Sequence, residues 1–199
     1  MKFSRNSLDV TMGAGGLGFL TKDGDRRIDF VHSPRTGGAS FTWFVDQLHS
    51  DKKIGDYVRV TPHMDLKSMR RVLDDQLPCD EQVSFTIIRH PLDNILSKWN
   101  YMITRDKAVM PFRSWWDNHQ KDLGWQNPYV KNADHLVRLE HVTEDLNNLI
   151  FDPYCGFRVG EMYRRLNVGH HKTRREMIPE DIVEIIREKE SQKVWDYYE

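Results

Sequence analysis

The chain is poor in cysteine. It has two, Cys79 and Cys155, far apart and without a CxxC pair. That spacing argues against a compact metal site or a disulfide scaffold and fits reduced thiols. Charge of one sign is also missing: 29 Lys and Arg side chains face 30 Asp and Glu, for a net charge of −1 at pH 7. No global field therefore draws the protein onto nucleic acid or an anionic membrane, and any anion site must be local. No stretch approaches the roughly 18 apolar residues of a membrane span, and "MKFSRNSLDV" has no apolar run of signal-peptide length. The expectation is a soluble, cytoplasmic protein. Repeats, low-complexity tracts and Pro/Ser-rich linkers are absent too, so nothing marks a boundary, and 199 residues suit a single domain, 1–199.

Residues 1–25 are the least patterned. They include "GAGGLG", Gly13 to Gly18, a formal GxGxxG. That fingerprint has meaning only between a strand and a helix whose N-terminus receives a pyrophosphate. Here a Lys22-Asp23-Gly24-Asp25 turn signal follows, and the segment reads as a flexible turn or hairpin. From Arg27 onward strands and helices alternate. "IDFVHS" reads as a strand, and Phe41, Phe44, Val45 and Leu48 then mark one helical face. "DYVRVTP" reads as a second strand, followed by a helix from about Asp65 with Leu66, Met69, Val72 and Leu73 on its apolar face. "QVSFTII" suits a strand buried on both sides, with Pro91 opening a helix after it. "HLVRLEHV" reads as a further strand, and a final helix is expected from Pro179 to Trp195. The alternation predicts a three-layer α/β fold with a mostly parallel central sheet flanked by helices.

Ligands of such sheets sit beyond the carboxyl ends of the strands. Two loops there carry anion chemistry. In "SPRTGGAS", Gly37 and Gly38 let the backbone approach an anion, the new helix offers N–H groups, and Arg35, Thr36 and Ser40 add donors. Each charge-assisted hydrogen bond is worth roughly 1.5 to 3 kcal/mol. The loop lacks the Gly-Lys-Ser/Thr ending of a nucleotide triphosphatase, and a plain Gly-Gly turn capped by Ser40 is the alternative. In "FTIIRHPLDNILSKWNYM", Arg89 ends the buried strand and Ser97 follows two helical turns later. There Arg89 would grip a phosphate as a fork while Ser97 donates; an Arg89–Asp93 ion pair is the alternative. Two anion loops in one chain imply a ligand with phosphates at two places.

These residues resemble the sulfotransferases that use 3′-phosphoadenosine 5′-phosphosulfate, especially the carbohydrate-type enzymes and their short bacterial and phage relatives. The family's 5′-phosphosulfate loop is similar to Pro34, Arg35, Thr36, Gly37, Gly38, Ala39, Ser40 and the following Phe41, and its 3′-phosphate element to Arg89, Pro91 and Ser97. Fainter similarity runs through Arg138 and Glu140, here read as a structural pair, and through the closing helix, so that about residues 27–198 are covered. The resemblance implies a P-loop-like fold, 3′-phosphoadenosine 5′-phosphosulfate as co-substrate, 3′,5′-adenosine bisphosphate as product, no metal, and a hydroxyl acceptor that is a small molecule or glycan. It implies catalytic roles for Arg35, on the leaving side, and His63, as base. Three departures stand out: Arg35 replaces the usual Lys, Ala39 removes a hydroxyl, and His90 replaces Asn or Asp. Of the nine histidines, His32, His170 and His171 rival His63.

For the acceptor, Trp99, Tyr101, Trp115, Trp116, Trp125 and Tyr129 offer stacking faces or, at helical spacing, core. The basic cluster Lys172, Arg174 and Arg175 reads as a second phosphate contact or a solvated loop. Two other functions stay open. One is a nucleotide kinase, which would need a Walker lysine and a Mg²⁺-holding Asp; the other is a nucleotide-binding domain of the same fold with weakened chemistry.

Overall fold

The computed structural model of the protein describes residues 15–61, 64–106, 110–121, 125–160 and 174–199. Five strands form one sheet: β1 (Leu17–Leu20), β2 (Arg26–Val31), β3 (Tyr57–Arg59), β4 (Glu81–Ile88) and β5 (His135–Arg138), in the spatial order β3-β1-β2-β4-β5. β2, β4 and β5 are parallel neighbours, and β1 is antiparallel to both β2 and β3. All strands except β1 therefore point the same way, and the sheet is mostly, not entirely, parallel. The helices are α1 (Gly38–Ser50), α2 (Leu66–Gln76), α3 (Pro91–Asp106), α4 (Phe112–His119), α5 (Asn127–Val130), α6 (Val142–Leu146), α7 (Glu180–Lys189) and α8 (Gln192–Trp195).

The layers follow from side-chain alternation. On β2, Ile28 and Phe30 turn to one face and join Phe41, Phe44, Val45 and Leu48 of α1 in the main core, together with Phe85 and Ile87 of β4. Val31 turns to the other face, against Leu66, Met69 and Leu73 of α2. Ile88 and Leu136 pack on that second side with Val130 and Val194. Helices thus cover both faces. No helix among the described residues is long and apolar enough to cross a membrane.

One expectation is met in part, the hairpin at Lys22–Asp25, and two are corrected. The Gly-rich stretch ends inside a strand: Gly18 pairs with Asp29 and with Val58, and a Cβ there would lie 2.7 Å from Leu73 of α2. Glycine here serves close helix packing, and a hairpin across Thr21–Asp25 leads into β2. The closing helix is not continuous; it breaks at Glu190, whose backbone is extended (φ −82°, ψ 153°). Arg138 does not pair with Glu140. It holds Asp145 through both Nε (2.9 Å) and Nη2 (2.8 Å), while Glu140 accepts the Tyr198 hydroxyl at 2.7 Å.

Under α2 lies a charged layer the hydrophobic pattern did not reveal. Arg27 and Asp29, on the same face of β2, are both fully buried. The Arg27 guanidinium donates to Asp29 (2.7 Å), to the Leu77 carbonyl (2.8 Å) and to Asp74 (2.9 Å), and Arg70 adds a 3.3 Å bond to Asp29. Burial raises the Asp29 carboxyl, opposed by its two arginine partners. Both cysteines are free. Breaking a buried pair strands a charge, so Asp29→Ala should cost about 3 kcal/mol in urea unfolding. Arg59→Ala, which removes a half-exposed bond to Asp46, should stay within about 1 kcal/mol of wild type.

Candidate functional site

The β2–α1 loop leaves the sheet beside the β4–α3 loop because their parent strands are parallel neighbours, with Val31 opposite Thr86. Pro34 and Arg35 make the corner. Proline fixes φ at the first central position of such a turn, and the second then needs a positive φ, usually supplied by Gly or Asn. Here Arg35 takes it, at φ 65°. A left-handed non-glycine residue costs on the order of 1–3 kcal/mol and is found most at functional sites. The Thr36 hydroxyl donates to the Ser33 carbonyl at 2.8 Å, and Asn94 of α3 donates to the Pro34 carbonyl at 3.1 Å. Gly37 is left-handed (φ 86°) and is the residue that leads into α1. Gly38 has a different reason to be glycine: a Cβ would lie 2.0 Å from the His32 ring, which occupies that space.

On the second loop, α3 begins at Pro91, and its first turn explains His90. The buried His90 imidazole accepts the Leu92 N–H at Nδ1 (3.2 Å), as an Asn or Asp cap would, and rests edge-on against Trp195 and Tyr198. Asp93 pairs with Arg175 (2.7 Å), not with Arg89. Arg89 stands half-buried at the strand end, and its charge acts on Arg35, Asp93 and Tyr198.

The two loops meet. Arg35 reaches across to α3, with its Nε 3.4 Å from Ser97 Oγ and its guanidinium 4.5 Å above the Tyr101 ring. Burial lowers its pKa; Tyr101 opposes that and the nearby Arg89 charge reinforces it. Arg35, Ser97 and Arg89 are thus brought together, with Thr36, Gly37, Gly38, Ala39 and Ser40 forming the loop and helix start behind them. Phe41 is a correction: its ring is fully buried between Phe30 (4.5 Å) and Phe85 (5.2 Å), and its N–H goes to the Gly37 carbonyl. It belongs to the core. His63, His170, His171 and Lys172 lie outside the described residues. β3, which precedes His63, does end at the same sheet edge as the two loops.

Sequence reading missed Lys98. It lies one residue past Ser97, is only 8% exposed, and sits 6.0 Å from the Trp125 ring. Burial pulls its ammonium down to about 8, with Glu190 opposing and Arg35 reinforcing. A signal existed: Lys98 follows Ile95 by three residues, on the buried stripe of α3. The aromatics divide clearly. Trp99, Trp115, Trp116 and Tyr129 are buried and Trp125 packs on the α3 cluster, while Tyr101 is 46% exposed beside Arg35.

Comparison of the chain with family models, curated proteins and solved structures finds no match.

The cap makes His90 a pH-dependent element. Burial lowers its pKa first, Arg175 adds to this, and Asp93, Glu140 and Glu199 act in the opposite sense. A folded value below the unfolded one means its contribution is complete above about pH 6.5 and is lost as pH falls through the folded value. His90→Asn keeps an acceptor and removes the titration. Its urea midpoint should therefore fall less than wild type's between about pH 7 and pH 5.

Proposed function

We propose that the protein is a sulfotransferase with a P-loop-like fold, moving a sulfo group from 3′-phosphoadenosine 5′-phosphosulfate to a hydroxyl acceptor such as a sugar. The observation that carries this reading is the meeting of Arg35 with Ser97 and Arg89 at one sheet edge: two anion loops open into one site. A ligand with phosphates on both its 3′ and 5′ sides would span them. The helix α1 N-terminus and the Gly37–Ser40 backbone serve the 5′ group, and Arg89 with Ser97 the 3′-phosphate.

The reaction forms a bond from sulfur to the acceptor oxygen, breaks the bond from sulfur to the 5′-phosphate oxygen, and hands the acceptor proton to a base. Its needs are in-line positioning and stabilisation of the leaving phosphate. Arg35 supplies donors on the leaving side, and His63 is the proposed base. Tyr101, 46% exposed, with the guanidinium groups of Arg35 (4.5 Å) and Arg105 (5.8 Å) over its ring, lies beside the proposed transfer site. One observation favours a second reading, a binding domain with weakened chemistry: the Arg35 side chain rests on Ser97 and Tyr101 of α3 rather than on its own loop.

Thermal shift with 3′,5′-adenosine bisphosphate, AMP and ATP–Mg²⁺ in parallel tests the site. The bisphosphate at 100 times its dissociation constant should stabilise by about 2.7 kcal/mol; a response to ATP alone would sink the proposal. Transfer of labelled sulfo groups to glycans and phenols then separates enzyme from binding domain. His63→Ala should lower kcat roughly 10² to 10⁴-fold with nucleotide affinity nearly intact, and an unchanged rate would remove His63 from the mechanism.

A further inference from the structure

β4 runs past its ladder with β2 and ends level with β5. Its ladder with β2 ends at Val31–Thr86 and its ladder with β5 at Ile88–Arg138, so the backbone amide and carbonyl of Arg89 have no strand to pair with. Buried backbone groups need partners. Both are supplied by one side chain: Gln126 Oε1 accepts the Arg89 N–H at 2.9 Å, and Gln126 Nε2 donates to the Arg89 carbonyl at 3.0 Å. A primary amide has the same donor and acceptor geometry as a peptide unit, so Gln126 acts as a one-residue extension of the sheet. Gln126 is fully buried.

Gln126 is itself held. The Glu190 carboxylate accepts the Gln126 N–H at 3.1 Å and lies 3.4 Å from its Nε2, which fixes which way round the amide stands. Glu190 is at the extended joint between α7 and α8, where it also accepts the Ser191 N–H at 3.1 Å. Lys98, the neighbour of Ser97, is the cation whose charge offsets Glu190. One buried line of contacts therefore joins the α7–α8 joint to the backbone of Arg89.

We propose that Gln126, oriented by Glu190, is a positioning residue that aims Arg89 at the 3′-phosphate and so sets selectivity for a nucleotide phosphorylated at that position. This rests on the sulfotransferase reading of the site. Gln126 touches no substrate; it acts through the strand end that carries the arginine.

The experiment compares affinities for 3′,5′-adenosine bisphosphate and 5′-AMP in wild type, Gln126→Ala and Glu190→Gln, by calorimetry alongside Tm. Wild type should prefer the bisphosphate. In Gln126→Ala that preference should shrink about tenfold while AMP affinity holds, and in the isosteric Glu190→Gln about threefold. A residue that only supports the fold would lower Tm and leave the ratio intact, and that result in a folded variant overturns the proposal. If Gln126→Ala does not fold, an unchanged ratio in Glu190→Gln overturns it instead. Absence of any preference in wild type overturns the sulfotransferase reading as well, so the two failures are told apart by wild type alone.

Discussion

The parallel pairing of β2 with β4 is the constraint from which the rest of the site follows. It runs in register from Arg26 opposite Glu81 to Val31 opposite Thr86, and the Thr86 hydroxyl closes its end by donating to the Val31 carbonyl at 2.7 Å. Parallel neighbours release their chains at the same edge. The start of α1 and the start of α3 therefore stand side by side, and Asn94 can bridge from one to the Pro34 carbonyl of the other. Had β4 run the other way, Arg89 would have left the sheet at the far end, beside Arg26.

In a chain with almost balanced charge, that edge gathers cations. Arg89 acts on Arg35 and Arg35 on Lys98, and burial works against the charge of Arg35 and Lys98. Such a cluster holds together because the fold spends its hydrogen bonds on backbone placement: Gln126 on Arg89, Asn94 on Pro34, Thr36 on Ser33. The left-handed Arg35 puts local backbone strain at the same edge.

Much of this was legible. α1 declared itself through Phe41, Phe44, Val45 and Leu48, α3 through Pro91, α2 through Asp65, whose carboxylate caps the Ser68 N–H at 2.8 Å, and β4 through its continuous apolar run. That the loops after β2 and β4 open at the same sheet edge could be read from the strand–helix alternation. β1 could not, because four residues with glycine among them, covered on both faces, show no alternation. The break at Glu190 was hidden because no Gly or Pro separates Ile186 from Val194 and Trp195, so no residue type marks the end of α7. Gln126 was missed because its partners Arg89 and Glu190 lie far along the chain and no local spacing encodes them, whereas the burial of Lys98 was written in its spacing from Ile95. His90 was visible as a departure, yet its meaning needed the Leu92 N–H in view.

The Glu190–Gln126 contact joins residues 64 apart in sequence, and Tyr198 reaches the Ile88 carbonyl across 110. A chain emerging from the ribosome thus exposes the loops after β2 and β4 before Glu190 and Tyr198 exist. During that interval the tip of β4 is an open strand end with unsatisfied polar groups, the kind of edge on which nascent chains associate. Closing contacts of such long span are slow, so folding of this protein should be limited by the docking of its α7–α8 region onto the finished sheet.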